Sequence, residues 1–188
     1  QQQVRLPYED FNRRFLEQVA DGWNRIAHEQ WYLFAQQMEY GSDPLAAIVN
    51  YRDGTPLPAE GKVVEVSAQP AWQSSGIEVQ AGKTYALRAA GRYNIARDDR
   101  GTPWPCEPGG VTIRYHQGRP LGELLLAVRR GEPQVGVAPD LSQSVPVGLR
   151  TIFKPNYDGT LYFQVNDSPA ERDDNQGQCK VQVKPSPW

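Results

Sequence analysis

The spacing of hydrophobic residues changes near residue 60 of this chain. From Tyr8 to about Tyr40, apolar residues recur at steps of three, four or eight, which is the periodicity of one long amphipathic helix. These residues are Phe11, Phe15, Val19, Trp23, Ile26, Phe34 and Met38. Glu9 and Asp10 suit the positive end of the helix dipole, and Gly and Pro near residue 44 provide a stop. The pattern therefore predicts a helical segment over residues 1–41.

The aromatic content of this predicted helix suggests a docking role. A helix of about thirty residues is roughly 45 Å long, which is more than a small sandwich needs as a lid. We predict that Phe15, Trp23, Trp31 and Phe34 face a partner, which would be a second copy of the chain in a homo-oligomer. The alternative is that the stripe packs on the chain's own β domain, or that it belongs to two shorter helices.

Beyond an irregular connector over residues 42–60, the hydrophobic period becomes two. Eight short alternating runs are separated by clusters of Gly, Pro, Asn and Asp, at residues 63–66, 77–79, 85–89, 111–115, 121–128, 149–153, 161–165 and 179–183. Such runs favour an antiparallel sandwich over a βαβ arrangement. We predict a mainly β protein, with a jelly-roll-like antiparallel β-sandwich over residues 61–188 and Gln117-Gly118 as a tight hairpin turn between exposed Arg114 and Arg119.

Composition and the start of the sequence indicate which binding partners and which cellular location to expect. The net charge is -2 and charges of both signs are interspersed, so no basic surface for a nucleic acid is indicated, and no apolar run could span a membrane. The numbered sequence begins at Gln1 without an initiator Met. A removed signal peptide explains this start, as does simple trimming of the sequence, and we predict a secreted, periplasmic or cell-surface protein.

The chain has two cysteines, Cys106 and Cys179, and neither lies in a metal-binding motif. In an oxidising compartment they would form one structural disulfide, whereas the alternative is two unrelated buried thiols. Catalytic motifs of metalloproteases, serine hydrolases and nucleotide-binding enzymes are absent from the sequence, and neither His28 nor His116 has a nucleophile in a matching context. We predict that the protein is not an enzyme.

An acidic loop near the C-terminus concentrates oxygen ligands. Within nine residues, between two predicted core strands, the loop carries Asp167, Glu171, Asp173, Asp174 and Asn175. Carboxylates this close repel one another unless a cation offsets them, and calcium takes six to eight oxygens from carboxylates, amides and carbonyls. The pattern predicts a calcium site. The alternative is a solvated acidic turn with Arg172 as its internal counter-ion.

The residues of this loop resemble a known family. The pattern Asn166-Asp167-x-Pro169, followed by Asp174-Asn175-x-Gly177, is similar to that of the calcium-dependent galactose-binding lectins of the PA-IL type. Residues 79–84, 89–91 and 159–162 are similar to strands of that domain. The resemblance covers about residues 70–184 and leaves the predicted N-terminal helix unaccounted for.

The resemblance implies a ligand set and a function. Calcium would be held by the side chains of Asp167, Asp174 and Asn175, by the carbonyl of Glu171 and by a second carbonyl near Ile95, while sugar hydroxyls complete the shell. The predicted sugar contacts are made by Asn166, Asp167 and Asn175. Trp104 either stacks on the sugar ring or anchors its own loop in the protein.

Two departures from the family pattern affect the predicted sugar binding more than the predicted calcium binding. The loop that corresponds to the family's second sugar-contacting loop, residues 98–110, contains no His. Glu171 stands where the family has a small residue, and its side chain is long enough to fold over the cation and compete with a sugar.

We therefore predict a calcium-dependent, lectin-like carbohydrate-binding protein of the cell surface or extracellular space. The alternative is a structural subunit of an extracellular filament, surface layer or envelope assembly, in which calcium has a purely structural role and the aromatic helix docks to a neighbour.

Overall fold

The computed structural model describes residues 49, 51–98, 100–131 and 140–186. The predicted helix, with Phe15, Trp23, Trp31 and Phe34, lies outside these residues. The strands are β1 Thr55–Pro56, β2 Lys62–Ser67, β3 Gln73–Val79, β4 Tyr85–Arg97, β5 Pro103–Cys106, β6 Gly109–His116, β7 Arg119–Arg129, β8 Val145–Pro146, β9 Arg150–Phe153, β10 Gly159–Val165 and β11 Gln176–Pro185. Two 3-10 helices, Asp140–Ser142 and Arg172–Asp174, are the helical elements of the described part.

The strands form two sheets. The first has the order β1-β3-β10-β7-β6 with β8 also paired to β7, and the second has the order β2-β11-β4-β5 with β9 also paired to β4. All pairs are antiparallel except the parallel pair of β1 and β3. The prediction of a mainly β protein is thereby confirmed. Within the described ranges, no helix is long and apolar enough to cross a membrane.

The main core lies between the sheets and follows the period-two pattern. Leu161, Phe163 and Val165 of β10 are fully buried against one face, and Val181 and Val183 of β11 are buried likewise. Each such side chain contributes roughly 1.5 to 3 kcal/mol by leaving water. Because both strands are held by the core, the loop that joins them starts and ends on fixed backbone.

Strand β10 is also buried on its outer face. Tyr162 is fully buried there and belongs to a second cluster that includes Trp72 and Leu141. The Tyr162 hydroxyl donates to the carbonyl of Arg52 and accepts from its N–H, both at 3.0 Å. The predicted connector therefore contributes to the fold, since it supplies this contact and strand β1.

All eight predicted runs are strands in the structure. Three further strands, β1, β5 and β8, were not predicted, because each is short and contains proline, which pattern reasoning assigns to loops. The Gln117-Gly118 turn is confirmed, with φ of 49° and 74°. Two successive positive φ values match the turn that suits the twist of a hairpin.

The predicted disulfide is wrong, because Cys106 and Cys179 are free and buried. Strand β4 lies between their strands: Cys179 of β11 is opposite Gly91, and Cys106 of β5 is opposite Tyr93. Two strand spacings amount to about 9.6 Å. A disulfide requires Cα atoms within about 7 Å of each other, so the pair cannot be bridged without moving a strand.

Candidate functional site

The acidic loop connects β10 to β11 and is held by its own backbone. The Glu171 N–H donates to the Ser168 carbonyl at 3.0 Å, and the Asn175 N–H donates to the Arg172 carbonyl at 3.1 Å, on either side of the short helix Arg172–Asp174. Asp167 Oδ1 accepts from the Ser168 N–H at 2.7 Å. These turns fold the loop back on itself, so that its first and last residues meet.

Asp167 and Asn175 form the buried centre of the loop. They are 1% and 2% exposed, and Asn175 Nδ2 donates to Asp167 Oδ2 at 2.8 Å and to the Ala68 carbonyl at 3.3 Å. Two predicted ligands that are eight positions apart in sequence are therefore in direct contact. The amide also links the loop to the segment that follows β2.

Asp174 brings the loop to the end of β4. Its Oδ2 accepts from the Arg97 N–H at 3.1 Å. Ile95 lies two residues earlier, in the stretch between Asn94 and Arg97 where the pairing of β4 with β5 shifts register. The structure thus places the segment that carries the predicted Ile95 carbonyl ligand beside a predicted side-chain ligand.

Two oxygens of this site have no hydrogen-bond partner among the described residues. They are Asn175 Oδ1 and Asp174 Oδ1, and both are buried. A buried acceptor left unsatisfied costs about 1 to 3 kcal/mol, so such atoms call for a partner such as water or an ion.

The available oxygens fit a hard cation that accepts mixed oxygen ligands. No group of three or more His, Cys, Asp or Glu side chains in the described part of the chain could hold a metal ion. A cation here would have to be held by two carboxylates, the Asn175 amide and backbone carbonyls. Calcium accepts this mixture, whereas zinc prefers nitrogen and sulfur ligands.

Burial dominates the electrostatics of Asp167. It raises the pKa of the carboxyl to about 6, and the charge of Glu171 acts in the same direction. The hydrogen bonds from Asn175 and the Ser168 N–H, together with the charge of Arg172, oppose the increase. Without a cation, this carboxylate is therefore charged only at considerable cost.

Arg172 lies beneath the loop rather than in solvent. Its residue is 1% exposed, and Nη2 donates to the backbone carbonyl of Asp167 at 2.9 Å. Burial lowers the pKa of the guanidinium, and the charge of Asp167 partly opposes this decrease. The counter-ion alternative thus has a structural basis, although the hydrogen bond reaches the Asp167 backbone and not its carboxylate.

The Glu171 side chain turns towards strand β6. Its carboxylate accepts from Arg114 Nη2 through both oxygens, Oε1 at 2.6 Å, and both side chains remain partly exposed at 43% and 45%. A groove of about 300 Å³ lies beside the pair, lined by Arg114, Tyr115, His116, Leu121, Ser168, Ala170 and Glu171. Sequence reasoning identified Arg114 only as an exposed hairpin residue, because its partner is 57 positions away.

Asn166 and Trp104, two predicted sugar contacts, are engaged with the protein. Asn166 is 3% exposed, and its Nδ2 donates to the carbonyls of His116, Arg119 and Pro120 at 2.9 to 3.3 Å. Trp104 is half-buried and packs against the main core, as the anchor interpretation requires. Sugar contacts by these side chains stay predictions.

The chain is similar in fold to a solved structure, although sequence comparisons find no relative. No protein-family model matches the chain, and no curated protein matches it. Among solved structures, the chain is similar to one described as "EclA N-terminal domain; PllA-like lectin", with a TM-score of 0.47 and 20% sequence identity. The match covers 66% of this chain and 95% of that one.

Proposed function

We propose that this protein binds carbohydrate through a calcium ion held by the β10–β11 loop. The observation that carries the proposal is the pair of buried, unpartnered oxygens, Asn175 Oδ1 and Asp174 Oδ1, on adjacent residues of which Asn175 contacts the buried carboxylate of Asp167. Calcium at this position would supply a positive charge with coordination positions that sugar hydroxyls can fill. The ligands would be Asp167, Asp174 and Asn175, with the carbonyls of Glu171 and Ile95.

Hydrogen bonds within the protein hold the proposed ligand side chains of the loop. Asp167 is oriented by the Ser168 N–H and by Asn175, and Asp174 is oriented by the Arg97 N–H. Little side-chain ordering is left to occur on binding, which reduces its entropic cost. The proposal also accounts for the burial of a carboxylate, since a cation would compensate the charge that desolvation makes unfavourable.

The groove next to the loop supports a sugar as the ligand. It is mostly polar, with Arg114, His116 and Ser168 in its wall, and Tyr115 is 57% exposed at its edge. Hydroxyl-rich ligands need several hydrogen-bonding groups and an aromatic surface for the apolar face of the ring. A calcium-dependent site of this kind suits the cell surface or the extracellular space, where we propose that the protein acts.

The test is calorimetric titration of calcium into the chelator-stripped full chain. Wild type is expected to bind one calcium ion, Asp167→Ala and Asp174→Asn are expected to lose most of the affinity, and Asp173→Asn is the matched control. Asp173 is exposed in the same loop and is not one of the proposed ligands, so its substitution tests whether loop charge alone matters. Absence of binding by wild type would overturn the proposal.

A panel of immobilised glycans, probed with calcium and then with chelator, tests the second half of the proposal. We expect at least one glycan to be retained only when calcium is present, and Asp174→Asn to abolish retention. Calcium binding without retention of any glycan would contradict carbohydrate binding and favour a structural role for the ion.

A further inference from the structure

The backbone carbonyl and the side-chain carboxylate of Glu171 have different roles in the loop. Its carbonyl belongs to the proposed ligand set, whereas its carboxylate is held by Arg114 of β6 on the side of the groove. A free carboxylate on a ligating residue is a stronger ligand for calcium than a sugar hydroxyl, because it adds a full negative charge. The direction in which this side chain points therefore affects whether outside ligands can reach the ion.

The β6–β7 hairpin, whose first strand carries Arg114, is held by the residue that begins the loop. Asn166 Nδ2 donates to the carbonyls of His116, Arg119 and Pro120, and the Asn166 N–H donates to the Glu123 carbonyl at 2.8 Å. The β6–β7 hairpin is thus tied to the residue that precedes Asp167. The Arg114 guanidinium is in turn held at the loop, because it donates hydrogen bonds to the Glu171 carboxylate, and these raise its pKa and keep it charged.

We propose that Arg114 is a positioning residue that withholds the Glu171 carboxylate from the calcium ion and so preserves coordination positions for a hydroxyl-bearing ligand. This inference rests on the proposed function. A merely structural ion pair is the rival explanation, and exposed pairs of this kind contribute only about 0 to 1 kcal/mol to stability. The two explanations differ in whether the Glu171 carboxylate enters the coordination shell of the ion when Arg114 is removed, which only the proposed positioning role predicts.

The experiment counts the water molecules on a bound lanthanide. Terbium replaces calcium in oxygen sites, and its luminescence lifetimes in H₂O and D₂O report how many waters it carries. In Arg114→Ala we expect at least one water fewer than in wild type, because Glu171 enters the shell, and calcium affinity about tenfold tighter. Arg114→Lys retains a cation for Glu171 and is expected to behave like wild type.

The double variant Arg114→Ala/Glu171→Gln separates coordination from charge. Removing Arg114 also removes a positive charge near the ion, which by itself strengthens cation binding. We expect the double variant to recover the wild-type water count and most of the wild-type affinity. An unchanged water count in Arg114→Ala, or a reduced count that persists in the double variant, would overturn the inference.

The outcome also separates this inference from the proposed function. If wild type binds neither calcium nor terbium, the proposed function fails, and the inference fails with it. If wild type binds both ions and Arg114→Ala has the same water count, only the role of Arg114 is refuted. Circular dichroism of each variant shows whether the β-sandwich remains folded.

Discussion

Stability of the calcium-free protein should depend on pH through Asp167. Burial gives this carboxyl a pKa of about 6 in the folded state, against 3.8 for the ordinary side chain. A group whose pKa is raised by folding contributes stability while it is protonated. That contribution is fully present below about pH 3.8 and is lost as the pH rises through about 6.

The difference between the two pKa values corresponds to about 3 kcal/mol. For a chain of this size, that amounts to roughly 6 to 12 °C in the melting temperature. Asp167→Asn removes the ionisable carboxyl group while keeping a side chain of nearly the same shape. The stability of Asp167→Asn relative to wild type should therefore rise by about 3 kcal/mol between acidic and neutral pH.

The assay is thermal unfolding followed by circular dichroism from pH 3 to pH 7, with chelator and with saturating calcium. Other carboxyl groups titrate in both proteins, so only the difference between variant and wild type is interpreted. With calcium, the wild type should recover stability at neutral pH and Asp167→Asn should not. A difference that stays constant across the pH range would refute the argument from burial.

Three further predictions follow from individual contacts. Cys106 and Cys179, whose thiol pKa values burial raises to about 11, should resist alkylation at pH 8 in the native protein, and both should react without a reductant after denaturation, as counted by mass spectrometry. Asn166→Asp should destabilise the protein by about 3 kcal/mol in urea unfolding, because it replaces the donor to the hairpin carbonyls by an acceptor. Gly122→Ala should lower the melting temperature by at least about 5 °C, since its Cβ would lie 2.5 Å from Cys106 Sγ at a φ of 77°.

Much of the β-sandwich could be predicted from local pattern. Alternation of apolar and polar residues indicated eight of the eleven strands that the structure describes, and Gln117-Gly118 indicated the hairpin turn, because both signals arise from neighbouring residues. The acidic loop was located for the same reason, since Val165 and Cys179 mark the core strands on either side. Strand β5 escaped prediction because its prolines, Pro103 and Pro105, indicate a loop when they are considered locally.

The long-range contacts of the site depend on the order of strands within the sheets. The contact of Arg114 with Glu171 and that of Arg97 with Asp174 join residues 57 and 77 positions apart, and no local pattern encodes either pair. Sheet order likewise places β4 between Cys106 and Cys179 and so excludes their disulfide. The sequence by itself determined eight of the strands and the acidic loop, because hydrophobic period and composition are local properties. Which groups meet the loop was decided only by the tertiary structure, because the sheets bring distant residues together.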